Sequence, residues 1–188
     1  MNAWCLLAAV VAYVVADNIT PELNTPISGG EFTFYGYGTD SEGACGLDVT
    51  NCSAAASGTL FTSGAAWVPS NFSDGRYILD DPICQGICVQ IEYQGKTGVF
   101  PINNECPECA VNHVDLTTDA FLYLEPLGGT VGIATDATIT YLFCNQTTPT
   151  DCSGTAVVGS TVAAASTAST TTAAAASGSA TTKASGTC

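Results

Sequence analysis

Residues 104–121, NECPECAVNHVDLTTDAF, bring together two cysteines three apart, the only histidine of a 188-residue chain, and an aspartate two positions after it. In an extended segment a spacing of two puts His113 and Asp115 on the same face. A carboxylate beside an imidazole can serve as a general acid, as a base or as a polar anchor. A helix is expected immediately afterwards: Thr117 is suited to the N-cap, Asp119 falls in the first turn where the helix dipole favours a carboxylate, and Ala120, Phe121 and Leu124 share one apolar face.

On either side of this stretch the apolar pattern has a short period. Residues 31–37 (EFTFYGY), 87–93 (ICVQIEY), 97–102 (TGVFPI), 130–134 (TVGIA) and 138–143 (TITYLF) are β-branched and aromatic runs separated by Gly, Asn and Asp, and are predicted as strands. Gln94-Gly95-Lys96 joins two of them at hairpin distance, and Gly128-Gly129 is expected to turn the chain from the helix back into strand. The fold class that follows is all-β, a small closed barrel with one short helix.

The cysteines set the compartment. Eight of them, at 45, 52, 84, 88, 106, 109, 144 and 152, lie in little more than a hundred residues, and the chain opens with the apolar run MNAWCLLAAVVAYVVA, which ends on small residues as a signal peptide does. The run is shorter than the roughly 18 residues of a spanning helix, so no membrane association is expected once it is cleaved. Cys106-Pro107-Glu108-Cys109 with Cys84 and Cys88 could in principle hold zinc, but an oxidising compartment consumes thiolates as disulfides. The cysteines are therefore read as staples, their pairing open among 105 possibilities, with no metal and no cofactor expected. Cys188 is left over.

Seventeen acids face three basic residues, and every acid lies between Asp17 and Asp151. Such a field disfavours nucleic acid and anionic lipid and leaves neutral polymers, cations or basic partners. Four N-x-S/T triplets, at Asn18, Asn51, Asn71 and Asn145, agree with export. After Cys152 the composition falls to Ala, Ser, Thr, Gly and Val with Lys183 as the only charge, which cannot bury a core. The expected organisation is a signal peptide at 1–16, an N-terminal extension at 17–30, one folded domain at 31–152 and a disordered Ser/Thr/Ala-rich stalk at 153–188, with the protein a monomer.

These residues together resemble a known family. Thr33-Phe34-Tyr35-Gly36, then Asp40, then Gly43-Ala44-Cys45-Gly46 are similar to the opening of the expansin and expansin-like double-psi β-barrel domain. His113-Val114-Asp115-Leu116-Thr117 with Ala120-Phe121 resembles that family's His-Phe-Asp-Leu-Ser motif, and Cys106-Pro107-Glu108-Cys109 resembles its fungal-type, single-domain loosenin-like or RlpA-like members. The resemblance spans roughly residues 31–144. It implies a six-stranded double-psi barrel with a shallow polysaccharide groove floored by Asp115, the residue matching the general acid of related endoglucanases. Thr33 and Tyr35 would line that groove, with His113 orienting Asp115. Tyr37, Trp67 and Tyr77 are candidate platforms for sugar stacking, with Trp67 as readily a core residue, and Asp40 and Asn104 are further candidate contacts.

Two departures shape the expected function. Many relatives carry an aspartate where this chain has Asn104, an amide that binds a hydroxyl but cannot take a proton, whereas glycoside hydrolysis normally requires two carboxylates. Plant and bacterial expansins carry a second carbohydrate-binding module after the barrel, whereas here the Ser/Thr/Ala segment follows it, either as a surface tether or as a linker to a further domain. The leading expectation is therefore a secreted protein that binds cell-wall polysaccharide, a glucan first of all, and loosens non-covalent contacts without net hydrolysis. Alternatives are a glycan-cleaving endoglucanase or lytic transglycosylase of the same barrel, and a non-catalytic barwin-like or kiwellin-like interaction protein.

Overall fold

The computed structural model describes residues 22–153; the expected signal peptide, the stalk and Cys188 lie outside the described residues. Eight strands and two helices follow in chain order: β1 (Ile27–Gly36), β2 (Ala54–Ser57), β3 (Ala66–Pro69), β4 (Tyr77–Asp80), β5 (Ile87–Tyr93), β6 (Lys96–Cys106), β7 (His113–Thr117), α1 (Thr118–Leu124), α2 (Gly128–Val131) and β8 (Ala134–Phe143). Six strands close a barrel in the order β1-β7-β2-β6-β5-β8, and β3 with β4 forms a separate two-stranded arm. Two pairs, β1 with β7 and β2 with β6, are parallel. Closure leaves the barrel no unpaired edge.

Alternation decides what each strand buries. Phe32, Val114, Leu116, Val89, Ile91, Phe100, Ile139 and Tyr141 are fully buried, and α1 closes the core with Ala120, Phe121 and Leu124 as the sequence predicts. Phe121 packs its ring 5.1 Å from Phe32 and 5.0 Å from Phe34, and Phe32 meets Tyr93 edge-on at 5.0 Å. Thr117 does occupy the N-cap position, but its hydroxyl makes no cap bond. It accepts from Ser53 N–H at 3.1 Å and donates to the Asn51 carbonyl at 2.8 Å, tying β7 to the segment that enters β2.

Four disulfides link the described cysteines: Cys45–Cys84, Cys52–Cys152, Cys88–Cys144 and Cys106–Cys109. Cys84, Cys88, Cys106 and Cys109, the cysteines spaced for zinc, are each bonded to another cysteine. The β5–β6 hairpin turns on Gln94 and Gly95, both at positive φ (47° and 80°), the conformation that matches strand twist in a two-residue turn.

The structure departs from the sequence reading in several places. Residues 130–134, predicted as a strand, are not one: Gly128–Val131 is a helical turn, and β8 begins at Ala134 and runs unbroken into the predicted 138–143 strand. β1 begins at Ile27, inside the expected extension, because Gly29 (φ 67°) and Gly30 form an irregularity within the strand and not its boundary. A Cβ at Gly30 would lie 2.6 Å from Ile139 Cδ1, so any side chain there would have to displace the Ile139 side chain. β2 has the sequence AAAS, of weak strand propensity, yet all four residues are buried; where two strands flank it closely, volume outweighs intrinsic preference. The β3–β4 arm was likewise not anticipated.

Candidate functional site

The parallel pairing of β1 with β7 sets Glu31 opposite His113 and Thr33 opposite Asp115. The next pairings continue that second row across the sheet, with Asp115 opposite Ala55 on β2 and Ala55 opposite Asn104 on β6. Phe32, Val114 and Leu116 take the inward positions, so Glu31, Thr33, Tyr35, His113 and Asp115 all project outward from adjoining strands. Ala55 lies on this face too, packed with Cys106 and Cys109 apart from the main core.

Hydrogen bonds join the row. The Thr33 hydroxyl donates to Asp115 Oδ1 at 2.7 Å, and His113 Nε2 lies 2.9 Å from the same Thr33 oxygen. On its other side His113 Nδ1 faces Glu31 Oε1 at 3.3 Å. Asn104 Oδ1 accepts from Ala44 N–H at 2.9 Å, which pins the loop after β1 to β6. The Tyr35 hydroxyl lies against the side chains of Asn104 and Ser53.

Burial pushes the Asp115 carboxyl above the ordinary aspartate range; the Thr33 hydrogen bond and the His113 charge oppose that rise, and the negative field of Glu108 adds to it. The Tyr35 hydroxyl is raised chiefly by burial as well, with Asn104 and Ser53 opposing and Asp115 adding to the rise. A half-buried carboxyl whose pKa is raised has the chemistry of a proton donor to an oxygen.

Tyr35 also belongs to an open cleft of about 780 Å³ with Tyr37, Glu42, Ala44 and Asn104. The structure thus unites Thr33, Tyr35, Asn104, His113 and Asp115, with Tyr37 alongside in the cleft. Asp40 stands apart, exposed on the loop at φ 50° with its N–H bonded to the Val49 carbonyl, and does not line the cleft. Trp67 is not core: it stands on the arm with 53% of its surface exposed, near Tyr77 at 55%. The arm is fixed by Arg76, which pairs with Asp74 and with Asp48 of the cleft-side loop and covers the Phe72 ring at 5.3 Å.

Sequence reading missed Glu31, Glu108 and Ser53. Glu31 was recoverable, since it precedes Thr33 by two and the strand period puts both on one face. Glu108 and Ser53 depend on tertiary contacts that no spacing announces.

No family model matches the chain. A 99-residue stretch, 52% of this chain, is 35% identical to a papain inhibitor of Streptomyces mobaraensis and spans 61% of that protein's length. Among solved structures, the Streptomyces papain inhibitor superposes with a TM-score of 0.50 and 26% identity, over 66% of this chain and 99% of that one. The chain is a double-psi β-barrel protein. The crystal structure of an apo expansin of Clavibacter michiganensis aligns with this double-psi barrel at a TM-score of 0.45 and 17% identity, over 68% of this chain and 53% of that one. A mutant of that expansin in complex with cellohexaose aligns at 0.42 and 19%, over 63% and 50%. Among the described residues, no helix is long and apolar enough to cross a membrane.

Proposed function

We propose that this double-psi barrel is a secreted protein that binds cell-wall polysaccharide, a neutral glucan first of all, and loosens polymer contacts without net hydrolysis. The supporting observation is the outward row Thr33, Asp115, Ala55 and Asn104, with Tyr35 between Asp115 and the cleft. Such a row offers a sugar both donors and acceptors beside aromatic faces. Asp115 contacts a hydroxyl or a glycosidic oxygen, and Tyr35 and Tyr37 stack. The acids around Asp115 favour gripping over cutting, because Glu31 is engaged with His113 and Asn104 is an amide. In this reading residues 1–16 are a signal peptide, 17–30 an extension whose last residues enter β1, and 153–188 a stalk that spaces the barrel from a surface.

The test is a pull-down on insoluble glucans, chitin and peptidoglycan with wild type and Asp115→Asn, run beside a reducing-end assay on soluble glucans that includes Glu108→Gln. Retention of wild type that the Asn variant loses, without released ends, supports the reading. Released ends that depend on Asp115 and Glu108 would replace it with cleavage.

A second reading is favoured by the likeness to the papain inhibitor, namely a barrel that binds a cysteine protease. Titration of papain with the chain decides it: stoichiometric inhibition that Asp115→Asn leaves intact assigns the protein to this class.

A further inference from the structure

Glu31, His113, Thr33 and Asp115 form one unbroken line of polar contacts at 3.3, 2.9 and 2.7 Å along the seam of β1 and β7. We propose that this line is a proton wire feeding Asp115, and that Glu31 is the positioning residue that keeps its proton loaded. The proposal deepens the binding reading above by assigning how its central carboxyl holds a proton.

Counting donors leads to it. A threonine hydroxyl has a single hydrogen. When Asp115 is ionised, Thr33 must give that hydrogen to Asp115, so His113 Nε2–H must donate to Thr33. The other ring nitrogen then faces the Glu31 carboxylate, and that contact is favourable only if a proton lies between Nδ1 and Oε1. The alternative arrangement holds the same number of protons. Asp115 carries its own and donates to Thr33, Thr33 donates to Nε2, and Nδ1–H donates to Glu31.

The two arrangements interconvert by a concerted shift. The Nε2 hydrogen moves to Thr33 oxygen as the threonine hydrogen moves to Asp115 Oδ1, and the imidazolium charge and the carboxylate charge vanish together. No atom is lost and no redox partner is needed. The forward shift loads Asp115 with one proton drawn from the imidazolium; once Asp115 has given that proton to a bound oxygen, Nε2 is bare and the next proton comes from water. Other groups facing the wire act in a consistent sense. Glu108 adds a negative field at Asp115, and Tyr35 projects from the same strand as Thr33 beside it. Lys and Arg play no part, since the described basic residues are Arg76, held by Asp48 and Asp74, and Lys96, bonded to the carbonyls of Tyr123 and Leu124.

Glu31→Gln separates the wire from a mere structural contact. Glutamine can donate its amide hydrogen to Nδ1, which lets a neutral Nε2–H imidazole satisfy every contact while Asp115 stays ionised. The chain has one histidine, so its ring nitrogens give a single unambiguous set of ¹⁵N signals. The full-length wild type is expected to show a protonated Nδ1, which both arrangements share, and Glu31→Gln a plain Nε2–H tautomer with an unprotonated Nδ1. A second pair guards against a fold effect: Asp115→Asn should move the ring signals in wild type, and should no longer move them once Thr33→Val has cut the line. Identical ring signals in wild type and Glu31→Gln, or an Asp115 effect that survives Thr33→Val, would overturn the wire. No sugar enters this measurement, so it judges the wire whether or not the cleft binds glucan.

Discussion

Thr33 and Asp115 are 82 positions apart in the chain, yet they are register partners in a parallel strand pair and share a 2.7 Å hydrogen bond. The bond holds the Asp115 carboxyl at the surface of the sheet, where an extended polymer can lie across it.

Replacing Asp115 by Asn keeps an acceptor for Thr33 and removes the charge and the acidic proton. Hydrogen bonds to charged groups contribute about 1.5 to 3 kcal/mol, so glucan binding should weaken by roughly ten- to a hundredfold. Binding isotherms on insoluble cellulose give the affinity, and circular dichroism should show the fold retained.

The same carboxyl should make stability depend on pH. Its pKa in the folded state lies above the unfolded value, because burial disfavours the ionised form. Its contribution is therefore fully present below the unfolded pKa and is lost as pH rises through the folded pKa. Asp115→Asn should gain thermal stability relative to wild type at neutral pH, and the gain should shrink in acid. Melting curves of both proteins across that range check the sign.

The disulfides should rank by the loop each closes. Cys52–Cys152 spans a sequence separation of 100 and Cys106–Cys109 one of 3. On the chain-entropy model their removal costs about 4.7 and about 2 kcal/mol respectively. Urea unfolding of the paired Cys→Ala variants measures the difference.

Phe121→Ala should cost about 3 to 5 kcal/mol, since it empties a fully buried ring position between Phe32 and Phe34. Denaturant titration provides the value.

Arg76→Gln should loosen the arm more than it lowers global stability. Its ion pairs are at the surface, where solvent screens them and little global stability depends on them. Faster hydrogen exchange confined to residues 66–80, with a melting temperature nearly unchanged, is the expected pattern.

Much of the site could be read from the sequence because strand periodicity is a local property. His113 and Asp115 at a spacing of two, and Thr33 and Tyr35 likewise, had to share faces once both runs were strands. The fold class followed from the same periodicity, and the six-strand closure from the resemblance. What escaped was set by contacts distant in sequence. Ala54 to Ala56 form a fully buried strand paired on both sides by β6 and β7, and Gly29 and Gly30, which read as punctuation, are an irregularity inside β1. Trp67 was equally readable as core or surface, because its surroundings depend on an arm whose two short strands carry almost no periodic signal. Residues 130–134 were misread because β-branched residues and glycine suit a strand, whereas the turn after α1 is closed by helical bonds from Val131 and Gly132.

The parallel seam between β1 and β7 has a consequence for assembly. Neither strand can find the other until most of the intervening chain has been arranged, a topology of high contact order that folds slowly. The carboxyl and its hydroxyl partner therefore meet late, and no half-length fragment from either end contains both. A chain that stalls before that meeting would carry the right residues without the assembled row.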